Sequence, residues 1–189
     1  MTEPVVAGHG FFARGAAIGC MLLGAMALIG CTTDRDKGLC PTAFVLAPTS
    51  SLTVFRVGAP ADPSGELYTV WMGNVRTSCD FDKTKYVTDS SLRIAFHAKR
   101  APSMEAAAYN VPYFVAVTHH GDRIMAKQIF TAQIVFGPGQ VTSDFQQSID
   151  STVIHLARGK KVGEYAIVTG LQLTKSQLDY NTKMNRYAP

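Results

Sequence analysis

Long hydrophobic runs are scarce in this chain. The uncharged apolar stretch Ala16–Gly30 has 15 residues, and a helix needs about 20 to cross a bilayer. It therefore falls short of a membrane span. Charge is scarce too. Asp, Glu, Lys and Arg make up 17% of the 189 residues, and the net charge is only +4. The tightest basic cluster is Arg158, Lys160 and Lys161, followed by Lys99–Arg100. No dense basic stripe interleaved with aromatics is present, which argues against nucleic-acid binding. These clusters suit solvated turns, or a weak attraction to anionic polymers and lipid head groups. Catalytic signatures are missing as well: no G-x-S-x-G, P-loop, H-E-x-x-H or G-x-G-x-x-G. Gly159-Lys160 lacks the earlier glycine and following Ser/Thr of a phosphate loop. No cofactor is implied. Internal repeats and low-complexity segments are absent, and the length allows one ordinary domain.

What is present begins with a leader. Arg14 supplies a positive charge just before the apolar stretch, as in a signal peptide. The stretch ends in Leu28-Ile29-Gly30-Cys31, which resembles the lipobox of bacterial lipoproteins. That resemblance implies cleavage before Cys31, a diacylglycerol on its thiol, and an acylated (palmitate-type) amine. Two or three acyl chains anchor stably where one holds marginally. Cys20 also follows a small residue, in Ala17-Ile18-Gly19-Cys20, but too little apolar chain separates it from Arg14. It is expected to leave with the leader. Thr32 follows the lipidated position where Asp would retain a protein at the inner membrane. The expected address is thus the periplasmic face of the outer membrane. The division is a signal peptide over 1–30, a lipidated tether over 31–39 and a folded domain over 40–189.

Of the four cysteines, Cys40 and Cys79 then remain. An oxidising compartment invites a disulfide between them, with two separate buried thiols as the alternative. From Pro41 onward the pattern has period two, bounded by turn residues. Strands are expected at Ala43–Ala47, Thr53–Val57 and Leu67–Cys79, the last with Leu67, Trp71, Val75 and Cys79 on one face. The Gly58–Gly65 stretch is a loop on its Gly and Pro content, and Asp80–Lys85 a charged turn. Leu92, Ile94, Phe96 and Ala98 alternate with Arg93, His97 and Lys99. Ala101–Pro112 reads as a connection with a helical turn at Met104–Ala108. Tyr113–Phe136 reads as a hairpin turning at His119–Asp122. Its return strand carries Ile124, Ala126, Phe130, Ala132, Ile134 and Phe136 inward. After a Gly137–Gly139 turn, Ser151–Ala157 and Tyr165–Leu173 form two more strands around Arg158–Gly163. Thr174-x-x-Gln177 is a capping box opening a helix of about ten residues, with Leu178 inward.

Seven or eight strands in antiparallel connection predict an all-β antiparallel sandwich with a short C-terminal helix. The order Cys40, Trp71, Cys79 is similar to an immunoglobulin core. Cys40 precedes the first strand, however, so the likeness extends to the architecture only. The segments Tyr113–Val117, Ala126–Phe130, Gly170–Thr174 and Gln177-Leu178 resemble uncharacterised envelope lipoproteins of alphaproteobacteria. That resemblance covers most of the mature domain and implies an address rather than an activity.

Histidine is the remaining source of chemistry. His119 and His120 cannot chelate one ion from a strand, where neighbours face opposite ways, but can in a turn, with Asp122 nearby. Against a metal stands an exposed hairpin tip, and no metal is expected. An enzyme with an unrecognised site would draw on His97, His119, His120 and Asp122. His155 reads as a hydrogen-bonded sandwich residue, and Asp80-Phe81-Asp82 as a turn rather than a calcium loop, since Gly and the distal Glu are missing. The expectation is a non-enzymatic, membrane-tethered envelope module. Its partner would be another envelope protein or an anionic polymer, with a small-ligand or metal carrier as a further alternative.

Overall fold

The computed structural model describes residues 40–187. The leader, the Cys31 lipidation site and the tether lie outside them. The described chain is the expected β-sandwich of eight strands and one helix. Strands β1 (Thr42–Val45), β8 (Tyr165–Leu171), β5 (Ala107–His119) and β6 (Arg123–Phe136) form the first sheet in that order. The second sheet is ordered β2 (Ser51–Phe55), β3 (Glu66–Asp82), β4 (Val87–Arg100) and β7 (Thr142–His155). Every pair is antiparallel except β1 with β8, which is parallel. Helix α1 (Lys175–Met184) follows the Thr174–Gln177 capping box, whose two reciprocal hydrogen bonds are both formed.

Alternation fills the space between the sheets. Leu92, Ile94, Phe96 and Ala98 of β4 face Val111 and Tyr113 of β5, Ala132, Ile134 and Phe136 of β6, and Ile167 of β8, all buried. Aromatic contacts tie the layers, with Phe96 edge-on to Tyr113 at 5.4 Å. Two bulges correct the predicted faces. In β3 the inner residues are first Tyr68, Val70 and Met72. The register then slips between Met72 and Val75, and the extra residue swaps the faces. Val75 and Cys79 point inward as expected, and Leu67 packs partly against the core. Trp71 does not: it lies outside, stacked on His97 at 5.6 Å. In the β5–β6 hairpin a slip beside Thr118 turns Ile124 outward, where it is 63% exposed.

Three other expectations are corrected. No helical turn forms at Met104–Ala108, because β5 begins at Ala107 and runs through Pro112. The Pro112 carbonyl accepts from the Gln172 N–H. Its ring nitrogen faces the same way, just past the last β5–β8 pair, Tyr113–Leu171, so proline forfeits a single reciprocal bond at the end of the ladder. Strand β7 starts nine residues before Ser151, since as an edge strand it needs few apolar residues. His155 is exposed, with Ile154 and Leu156 taking the inward positions.

The disulfide is formed. Cys40 and Cys79 have Cα atoms 5.6 Å apart, and the bridge joins the approach to β1 in one sheet to β3 in the other. Arg100 is buried, and among the described residues no carboxylate pairs with it. Its guanidinium instead donates to the carbonyls of Gln140 (2.8 Å), Glu105 (2.8 Å) and Gly137 (3.0 Å) and lies 4.9 Å from the Phe136 ring centre. Asn181 of α1 is fully buried and donates to the Ser51 carbonyl at 2.7 Å. Arg186 reaches Glu66 at 2.6 Å. These contacts hold the helix and the residues after it to β2 and to the start of β3, and Leu178 is only half-buried.

Candidate functional site

Two features stand out, and both depend on the β5–β8 pairing. The first is the outer face of the first sheet. A sheet face turned away from the core is ordinarily polar. Here Phe114, Ala116 and Val168 form a second buried cluster on that face. Phe44, Leu46 and Ile124 extend it, each exposed by 41% or more. Together they line a groove of about 460 Å³, which Leu173 and Leu178 also border. Lys127, itself exposed, also lines it, with Nζ 4.5 Å from the Phe114 ring centre, a cation–π contact. Gly170 permits the close packing here. A Cβ on it would come within 2.0 Å of Thr49 Oγ1 and 2.9 Å of the Phe114 ring.

The second feature is at the hairpin tip. His119 ends β5 opposite Tyr165, the first residue of β8. One step beyond, the His120 N–H donates to the Glu164 carbonyl at 2.8 Å. His120 has φ of 54°, in the left-handed region, and Gly121 follows at 82°. This turn lifts the strand rule that sends neighbours to opposite faces. The two imidazole centres are 4.1 Å apart. Glu164 closes a short turn at Val162–Glu164 and brings its carboxylate to them. Its Oε2 lies 3.5 Å from His119 Nε2, 3.2 Å from His120 Nε2 and 3.1 Å from Lys160 Nζ. Its Oε1 accepts from the Lys161 N–H at 2.9 Å. That backbone hydrogen bond, with Lys160 alongside, lowers the Glu164 carboxyl to about 2.

The sequence candidates are thus divided. His119 and His120 converge as a turn allows. Asp122, the expected third member, instead lines the groove, and Glu164 takes its place. His97 is remote in character, exposed and bonded through Nδ1 to Asp144 at 2.6 Å. Glu164 carries no local signal, since it meets His120 only through the strand register, 44 positions away. Asp82 caps its own turn, accepting from the N–H groups of Thr84 (2.9 Å) and Lys85 (3.0 Å), as a hairpin turn requires.

No family model matches the chain, and no curated protein or solved structure matches it either.

Proposed function

We propose that this chain is a lipid-anchored module on the periplasmic face of the outer membrane, and that it binds another envelope protein through the groove on its first sheet. The observation carrying this reading is the apolar outer face itself. Its buried cluster of Phe114, Ala116 and Val168 belongs to no part of the inter-sheet core. Apolar concavities rimmed by polar residues mark interaction sites. The occupant is an apolar segment of the partner, with an acidic residue placed for Lys127. One cation, Lys127, among the groove residues is too little for a polyanion. The titratable side chains there, Lys127 and Asp122, serve orientation rather than catalysis.

The anchor supports the same reading. Cys40 follows Cys31 by nine positions, and at about 3.3 Å per step the tether reaches roughly 30 Å. The domain therefore works close to the membrane that carries its partner. Photo-crosslinking from position 46 in the membrane-anchored chain tests the proposal. One discrete protein adduct is expected, identified by mass spectrometry, reproduced with the two purified proteins and lost in Ala116→Arg. Labelling of lipid alone, or an adduct indifferent to Ala116→Arg, overturns it.

A further inference from the structure

We propose that His119, His120 and Glu164 form a binding site for a first-row divalent transition metal, of which zinc is the reference ion. The three ligand atoms lie within 4.8 Å of one another. Zinc bonds to nitrogen and oxygen are about 2.0–2.1 Å, so tetrahedral ligands sit about 3.3–3.4 Å apart. The separations of 3.5 Å and 3.2 Å from Glu164 Oε2 to the two Nε2 atoms bracket that value. The carboxylate thus already stands at ligand spacing from both imidazoles, and an ion would draw the set together from its 4.8 Å span.

Three further observations converge on the same point. His119 Nε2 and Glu164 Oε2 are buried atoms, and the polar groups that meet them among the described residues are each other, His120 and Lys160. His120 occupies a left-handed backbone position, which costs a non-glycine residue energy and is favoured at functional sites. A plain turn would be met more cheaply by Asn or Gly. The supports are also fixed in place. The His120 N–H holds the Glu164 carbonyl at 2.8 Å, and the Lys161 N–H holds Oε1 at 2.9 Å. The other carboxylate oxygen, Oε2, thus faces the imidazoles, an orientation of the kind that hydrogen bonds around metal sites impose on their ligands.

Two imidazoles and one carboxylate suit zinc and its neighbours rather than calcium or magnesium, which take oxygen ligands. Three protein ligands leave one position open for water or an exogenous ligand. Lys160 Nζ, 3.1 Å from Oε2, balances the carboxylate in the ion-free protein. Its side chain is 42% exposed and follows Gly159 at φ 79°, so it can swing out as the metal enters. The competing account is an ionic clasp in which the three residues only pin the hairpin to the turn.

Calorimetric titration of zinc into the full chain in detergent separates the two. One equivalent is expected to bind at micromolar or tighter affinity. Glu164→Gln and His119→Ala should each weaken it at least tenfold. His120→Gly removes a ligand while keeping the left-handed backbone, and should weaken it comparably without unfolding the domain. Lys160→Ala should tighten it, and Asp122→Asn should leave it unchanged. Cobalt added to the wild type should give the visible absorption of a tetrahedral site, absent in His120→Gly. Failure of the wild type to bind, or binding indifferent to His120→Gly, leaves only the clasp and overturns the site.

Discussion

Arg100 shows how one residue can organise two loops. It is the last residue of β4, buried among the carbonyls of Glu105, Gly137 and Gln140. Hydrogen bonds from a charged donor contribute about 1.5–3 kcal/mol, and removing the donor leaves buried carbonyls unsatisfied. Arg100→Met should therefore destabilise the domain by about 2–4 kcal/mol, measured by urea unfolding. Arg100→Lys should recover little of this, since an ammonium cannot span three carbonyls as a planar guanidinium does. Sequence alone marked Arg100 only as part of a basic pair with Lys99. The pair divides because β4 sends neighbours to opposite faces, Lys99 outward and Arg100 inward. Glu164 was equally illegible, while His119 and His120 were visible as a pair whose use depended on a turn.

At the scale of elements, strand period was legible wherever the ladder is regular. Leu92, Ile94, Phe96 and Ala98 of β4 are all buried as their alternation requires. The same reasoning failed at the bulges in β3 and in the β5–β6 hairpin, where one extra residue inverts the faces. It also failed for β7, whose edge position leaves most residues exposed or half-buried. The disulfide belongs to this scale, because it connects two elements of different sheets. Its sequence separation is 39, and in the chain-entropy model closing such a loop stabilises by about 4 kcal/mol. Cys79→Ala should lower stability by about 2–5 kcal/mol in denaturant titration and leave Cys40 reactive with maleimide. Quantitative labelling of both thiols in the unreduced, denatured wild type would contradict the bridge.

For the whole molecule, the decisive experiment concerns Cys31. Under the lipoprotein proposal, Cys31→Ala should abolish anchoring and leave the precursor uncleaved, because the lipoprotein peptidase acts on the lipidated cysteine. Mass spectrometry of the membrane fraction reads both effects at once. A mature, unmodified N-terminus at any other residue would defeat the proposal. Among the described residues no helix is long and apolar enough to cross a membrane. The two sheets meet that arrangement with different outer faces. Helix α1 is bound to β2 in the second sheet, through Asn181 and Ser51. The first sheet leaves Phe44, Leu46 and Ile124 exposed around its groove.

The sequence by itself determined the sandwich class, the capping box of α1 and the His119–Asp122 turn, and it offered Cys40 and Cys79 as the expected disulfide pair that the structure then showed. These rest on local periodicity, on turn and cap chemistry, and on a cysteine count, all readable within a few residues or by elimination. Only the tertiary structure decided which face Trp71 and Ile124 occupy, where Arg100 finds its acceptors, and that Glu164 joins the two histidines. Each of those depends on register between strands far apart in the chain, and a shift of one residue changes every side chain's face. The groove has the same origin. Its apolar residues come from β1, β5, β6, β8 and the approach to α1, and no single segment carries enough of them to reveal a surface.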